Sequence, residues 1–146
     1  MNDFDRSKSL QELEGVDWGD PTFGSHLVTE CHRLHRVPLC DFSVEDLRIT
    51  VGQDIGLEYL VPLAIEKLRE NPLAEGDCYP GDLLSNVLSA DAAFWRAHLD
   101  LHKQLLPIAE RALAVVSADP DICYEVVFES VSTAYEKFRR QSRTQA

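Results

Sequence analysis

The sequence predicts an all-α fold, a single compact domain of about six helices. Three observations carry that reading. Apolar residues recur every three or four positions through most of the chain, the spacing of one helix face. Ser, Asp, Pro and Gly stand where such segments begin and end. No run alternates between apolar and polar residues as a half-buried strand would, and there is no internal repeat or low-complexity segment. The 146 residues suit one domain, 1–146, large enough to fold without disulfides or metal.

Each helix has its own signals. Residues 1–8 are polar and expected to be loose. GVDWGDPTFGS, residues 15–25, holds three glycines and a proline and reads as a loop. His26 to Arg36 forms the first helix, with Leu27, Cys31 and Leu34 as its apolar stripe and Pro38 as its stop. Ser43 caps the second, with Glu45 and Asp46 favourable in the first turn. Val44, Leu47, Val51 and Ile55 are its inner face; Gly52 weakens it and Gly56 ends it. A third face follows through Leu57, Leu60, Val61, Ala64, Ile65 and Leu68, with Pro62 placed in the first turn, where a missing N–H does no harm. Asn71-Pro72 ends it.

Residues 71–79 read as a loop, and Pro80 opens a short helix with Leu83, Leu84, Val87 and Leu88 inward. Asp82 falls in the first turn of that helix, where the macrodipole favours a carboxylate. Asp91 caps a long helix to about Ser117, with Phe94, His98, Leu101, Leu105, Ile108, Ala112 and Val116 inward and Pro107 as a kink point. Asp119-Pro120 starts the last helix, from about Asp121 to Arg140, which buries Val127, Val131, Ala134, Tyr135 and Phe138.

Charge narrows the class of partner. There are 25 acids against 14 bases, and the last ten residues hold four of those bases. Residues 1–136 therefore carry a net charge of −15. Such a body repels nucleic acid and anionic membranes and attracts a basic protein. Residues 9–32 and 70–95 each carry five acids and no Lys or Arg. The N-terminus lacks the basic start and apolar core of a signal peptide, and no apolar run approaches the roughly 20 residues of a bilayer span. The expected location is the cytoplasm, and there Cys31, Cys40, Cys78 and Cys123 are expected as free thiols.

No catalytic or cofactor motif is present. Cys31 and His35, one turn apart, could supply two metal ligands, but no second cluster completes a site. His98 and His102 occur as HLDLH, without the glutamate after the first histidine that a zinc protease needs. Glu75 and Asp77 could pair for acid–base work, but nothing nearby resembles a nucleophile and base. GxxxxGK[ST], GxGxxG and GxSxG are absent. The reading is therefore not an enzyme, with no metal and no cofactor. Trp18, flanked by Asp17 and Asp20, and Tyr79, in GDCYPGD, can either fold onto the core or serve as interface anchors.

Three segments taken together, LQELEGVDWGDP, LVTECHRLHRVPL and FSVEDLRITVGQDIGLEYLVPLAIEKLRENPLAEGDCYPGDLL, resemble the immunity proteins of bacterial contact-dependent growth inhibition systems. The resemblance covers about residues 9–96; residues 97–146 carry no signature. It implies a protein that binds and neutralises a cognate toxin domain, often a nuclease, whose phosphate-holding surface is basic. No contact residues carry over from such a family. Charge and loop chemistry nominate Asp17, Asp20, Glu75, Asp77 and Asp82 as charged contacts, with Trp18 and Tyr79 as anchors. The competing readings are a helical regulatory or structural subunit that binds another basic protein, and a small metal-binding helical enzyme.

Overall fold

The computed structural model describes residues 4–20, 25–118 and 124–141. Those residues form helices α1 (Leu10–Glu14), α2 (His26–Leu34), α3 (Val44–Gly52), α4 (Leu57–Glu70), α5 (Asp82–Leu88), α6 (Ala92–Ala97), α7 (Leu99–Ala118) and α8 (Tyr124–Gln141), with a 3-10 turn at Leu39–Asp41. The all-α class is as predicted, and among the described residues there is no strand, only an isolated bridge between Ser9 and Pro38. No helix of the described residues is long and apolar enough to cross a membrane.

The short α5 is the centre of the packing. It lies against α3, α4 and α8, and six of its seven residues are buried. A helix enclosed on nearly every side must be apolar nearly all round, and DLLSNVL is so apart from Asp82, Ser85 and Asn86. Around it α4 packs on α3 and α7, and α7 on α8. Leu47, Val51, Leu60, Ile65, Leu84, Leu88, Val131 and Phe138 fill the space between.

Among the described residues eight helices stand where about six were expected, for two reasons. The first is α1, a five-residue helix inside a stretch the sequence reading left without an element. Ser9 and Glu12 form a reciprocal capping box and Gly15 closes it in the left-handed conformation. The second is a break in the long helix at His98, whose φ of −131° and ψ of 60° leave the helical region. His98 Nδ1–H donates to Phe94 O at 2.9 Å and the imidazole stacks on the Phe94 ring, so the side chain closes α6 while its own carbonyl accepts from Leu101 and His102 to open α7.

Other boundaries also moved. Helix α3 stops at Gly52, before Ile55, and Asp54 takes a positive φ of 57° in the turn. Gly56, at φ 57°, precedes α4; a Cβ there would lie 2.7 Å from Leu10 Cδ2, which is fully buried. Pro62 is the sixth residue of α4, in the second turn rather than the first, where it has no backbone N–H to donate. The Asp119-Pro120 start of the last helix lies outside the described residues. Residues 4–8, expected to be loose, are tied down. Cys40 N–H donates to Arg6 O at 2.8 Å and Leu39 N–H to Lys8 O at 3.0 Å, while the Arg6 guanidinium pairs with Glu66.

His102 is a core residue. It is 1% exposed, stacks on Phe138 with centroids 3.9 Å apart, and Nε2–H donates to Phe138 O at 2.9 Å. Trp95 meets the edge of the same Phe138 ring. This aromatic cluster fastens the C-terminal part of α8 to α6 and α7.

Candidate functional site

The acidic loop between α4 and α5 is organised by two carboxylates. Asp82, at the first position of α5, is 2% exposed. One of its oxygens accepts from Gly76 N–H at 2.7 Å, the other from Cys78 N–H at 3.0 Å and Tyr79 N–H at 3.3 Å. Glu45, in the first turn of α3, accepts from Asp77 N–H at 2.8 Å. Four successive loop amides are thereby held, and a backbone whose donors are satisfied internally keeps one shape.

Arg48 joins the two carboxylates. Its guanidinium bonds both oxygens of Glu45, at 2.6 and 2.5 Å, and stands 3.8 Å from Asp82. The Glu45 hydrogen bonds raise the Arg48 pKa, and the same bonds hold the Glu45 carboxyl below the usual glutamate range. Gly76 must be small here: a Cβ would come within 2.4 Å of Glu45 Oε1. Tyr79 is half-buried, and its hydroxyl meets Ser130 Oγ of α8 at 2.7 Å, with Ser85 Oγ completing the chain at 2.9 Å. Glu75, Asp77 and Cys78 are exposed at the crest of the loop.

So the predicted residues part company. Glu75 and Asp77 are exposed to solvent, while Asp82, expected among the charged contacts, is enclosed and spends its oxygens on its own loop. Sequence reading gave Glu45 only a first-turn role in its helix and did not single out Arg48 or Ser130. The first two form an i, i+3 ion pair that was legible as a pattern; Ser130 comes from a helix 51 residues away and had no local signal.

The second segment lies against α2. The Trp18 indole stacks flat on His35, with centroids 3.8 Å apart and planes 10° apart, and meets His32 edge-on at 5.3 Å. His35 is 1% exposed, and its Nε2 lies 2.8 Å from Glu14 Oε1. Asp17 accepts from Gly19 N–H at 2.7 Å, and Arg36 donates to Gly19 O at 2.8 Å. The same guanidinium reaches toward Asp17 and Asp20 at 3.7 and 3.8 Å, yet their side chains remain 67% and 94% exposed. Trp18 itself is 36% exposed, so it folds back on one face and stays open on the other.

The two segments do not merge into one cluster. The loop at 75–82 touches α3 through Glu45, in its first turn, while Trp18 shares a cleft with Gln53, the C-cap of α3. Nine helical residues, about 13 Å, separate the two ends. The histidine and cysteine pairs are employed elsewhere: Cys31 is buried, His32 Nδ1 and His35 Nε2 hold Gly19 O and Glu14, and His102 holds Phe138 O. Among the described residues no group of three or more His, Cys, Asp or Glu could hold a metal ion.

The family model described as CDI immunity proteins matches residues 12–105, well over half of the chain. The chain belongs to the contact-dependent growth inhibition immunity family. The match includes both acidic segments of the immunity protein and its helices from α2 to α6 in full. It ends within α7, so α8, which receives the Tyr79 hydroxyl, lies beyond the matched region. No curated protein and no solved structure matches the chain.

Proposed function

We propose that this immunity protein binds the cognate C-terminal toxin domain of a contact-dependent growth inhibition system in the cytoplasm and neutralises it stoichiometrically, without catalysing a reaction. The toxin domain is basic, and the class that best fits an acidic inhibitor is a nuclease, which carries cations where it holds phosphate. The family match is the observation that carries this reading. A net charge of −11, with Asp17, Asp20, Glu75 and Asp77 exposed on two pinned segments, supports its electrostatic part.

In this reading those four carboxylates supply charge. Trp18 is the aromatic anchor, and Tyr79 packs the loop against α8 and offers the exposed part of its ring. Asp82 contributes shape, because it fixes the backbone that carries Glu75 and Asp77. Pre-formed loops lose little conformational entropy on docking, which favours affinity. The test is co-purification with the toxin domain encoded beside this gene, in low salt, followed by a toxicity assay in cells that express both. A stable complex and restored growth are expected; the absence of a complex overturns the proposal.

A further inference from the structure

Leu27 was predicted to face the core as part of the α2 stripe, and it does not. It is 42% exposed, whereas Cys31 and Leu34 of the same stripe are buried. Val16, Trp18 and Leu27 are three of the five large hydrophobic side chains left exposed among the described residues, and they fall within twelve positions of one another. Trp18 and Leu27 line one cleft of about 260 Å³, walled further by Val28, Cys31, His32 and Ile55. That volume suits one or two large side chains of a partner rather than a drug-sized molecule.

The walls are fixed in advance. Stacking on His35 holds one face of the Trp18 indole. A carbonyl can only accept, so the contact of His32 Nδ1 with Gly19 O at 3.1 Å places the proton on Nδ1. The stretch of chain that carries Trp18 and Leu27 is acidic: between residues 9 and 36 five carboxylates stand against two arginines. Both arginines are already committed, Arg33 to Glu30 and Arg36 to Gly19 O, Asp17 and Asp20.

We propose that the cleft between Trp18 and α2 is the apolar docking point for the toxin domain, and that it takes an aliphatic or aromatic side chain from a segment whose neighbouring residues are Lys or Arg. This rests on the toxin-binding reading above and assigns that contact to this end of the molecule. A largely apolar cleft carried by a net-acidic stretch of chain favours an apolar knob flanked by basic residues, and central, water-excluding contacts of this kind dominate interface energetics.

The experiment is calorimetric titration of the purified toxin domain into wild-type protein, Leu27→Arg, Leu27→Met and Leu99→Arg. Leu27→Arg should weaken binding about 30-fold or more, the scale of a hot-spot residue. Leu27→Met should bind as wild type. Leu99→Arg, on an equally exposed leucine of α7, should also bind as wild type. Immunity protein labelled with 5-fluorotryptophan gives a second readout by fluorine NMR. Trp18 is partly exposed and Trp95 fully buried, so their two resonances differ in solvent exposure, and only that of Trp18 should shift when toxin is added. Wild-type-like affinity of Leu27→Arg, or an unmoved Trp18 resonance in a formed complex, overturns the proposal. Should Leu27→Arg lose its helical circular dichroism, the Trp18 resonance alone decides. Failure of the wild-type protein to bind at all would instead bring down the toxin-binding reading.

Discussion

A single enclosed carboxylate decides the shape of the 75–82 loop. Asp82 is 2% exposed and serves three amide donors, so its loss leaves three partly buried N–H groups without their acceptor. Asp82→Ala is expected to destabilise the fold by about 2–3 kcal/mol in urea unfolding, since hydrogen bonds to a charged group are worth about 1.5–3 kcal/mol. Amide exchange at Gly76, Cys78 and Tyr79 should accelerate with it. Glu45 makes the pH dependence explicit. Its bonds to Arg48, and then to the Asp77 amide, lower its pKa from the ordinary 4.5. A depressed carboxyl contributes stability that is fully present above 4.5 and lost as pH falls through the folded value. Glu45→Gln should therefore be less stable at neutral pH and show a shallower loss of stability below pH 4.5 than the wild type, as followed by denaturant midpoints across that range. A parallel pair of curves would contradict the role given to the pair.

At the scale of elements, caps were the most legible part of the sequence. Ser43 as N-cap, with Glu45 and Asp46 in the first turn, predicted the start of α3, and the structure adds a reciprocal capping box between Ser43 and Asp46. Ser43→Ala should cost about 1 kcal/mol in urea unfolding, the ordinary worth of an N-cap. Ser9 and Glu12 carry the same signature, yet a five-residue helix is too short for hydrophobic periodicity to reveal it. The break at His98 was illegible for another reason. No Gly or Pro marks it; the imidazole bonds a carbonyl four residues back and stacks on Phe94, which is a contact of the folded state. Leu27 shows the limit from the other side, because periodicity says which residues share a stripe but not where the covering helix ends. The candidate site divides in the same way. Exposure of Asp17, Asp20, Glu75 and Asp77 followed from polar loop composition, whereas burial of Asp82 depended on α3 and α5 meeting around it.

Across the whole molecule, the proposed function gives the charge surplus a role in encounter more than in the fold. Four exposed carboxylates at two ends of α3 extend an attractive field for a basic partner, and such a field raises the association rate and weakens as salt screens it. Association measured by stopped flow should slow about tenfold or more between roughly 10 mM and 150 mM salt, while dissociation changes little. Family membership says that this chain is an immunity protein; how it meets its toxin is the central claim. The most direct test is the affinity for the adjacent toxin domain of wild-type protein and of the quadruple variant Asp17→Asn, Asp20→Asn, Glu75→Gln and Asp77→Asn. The expected result is a tight one-to-one complex that the variant, folded to the same helicity, weakens by about 100-fold or more, mainly through slower association. Equal affinity and equal association rates for the two proteins would contradict it.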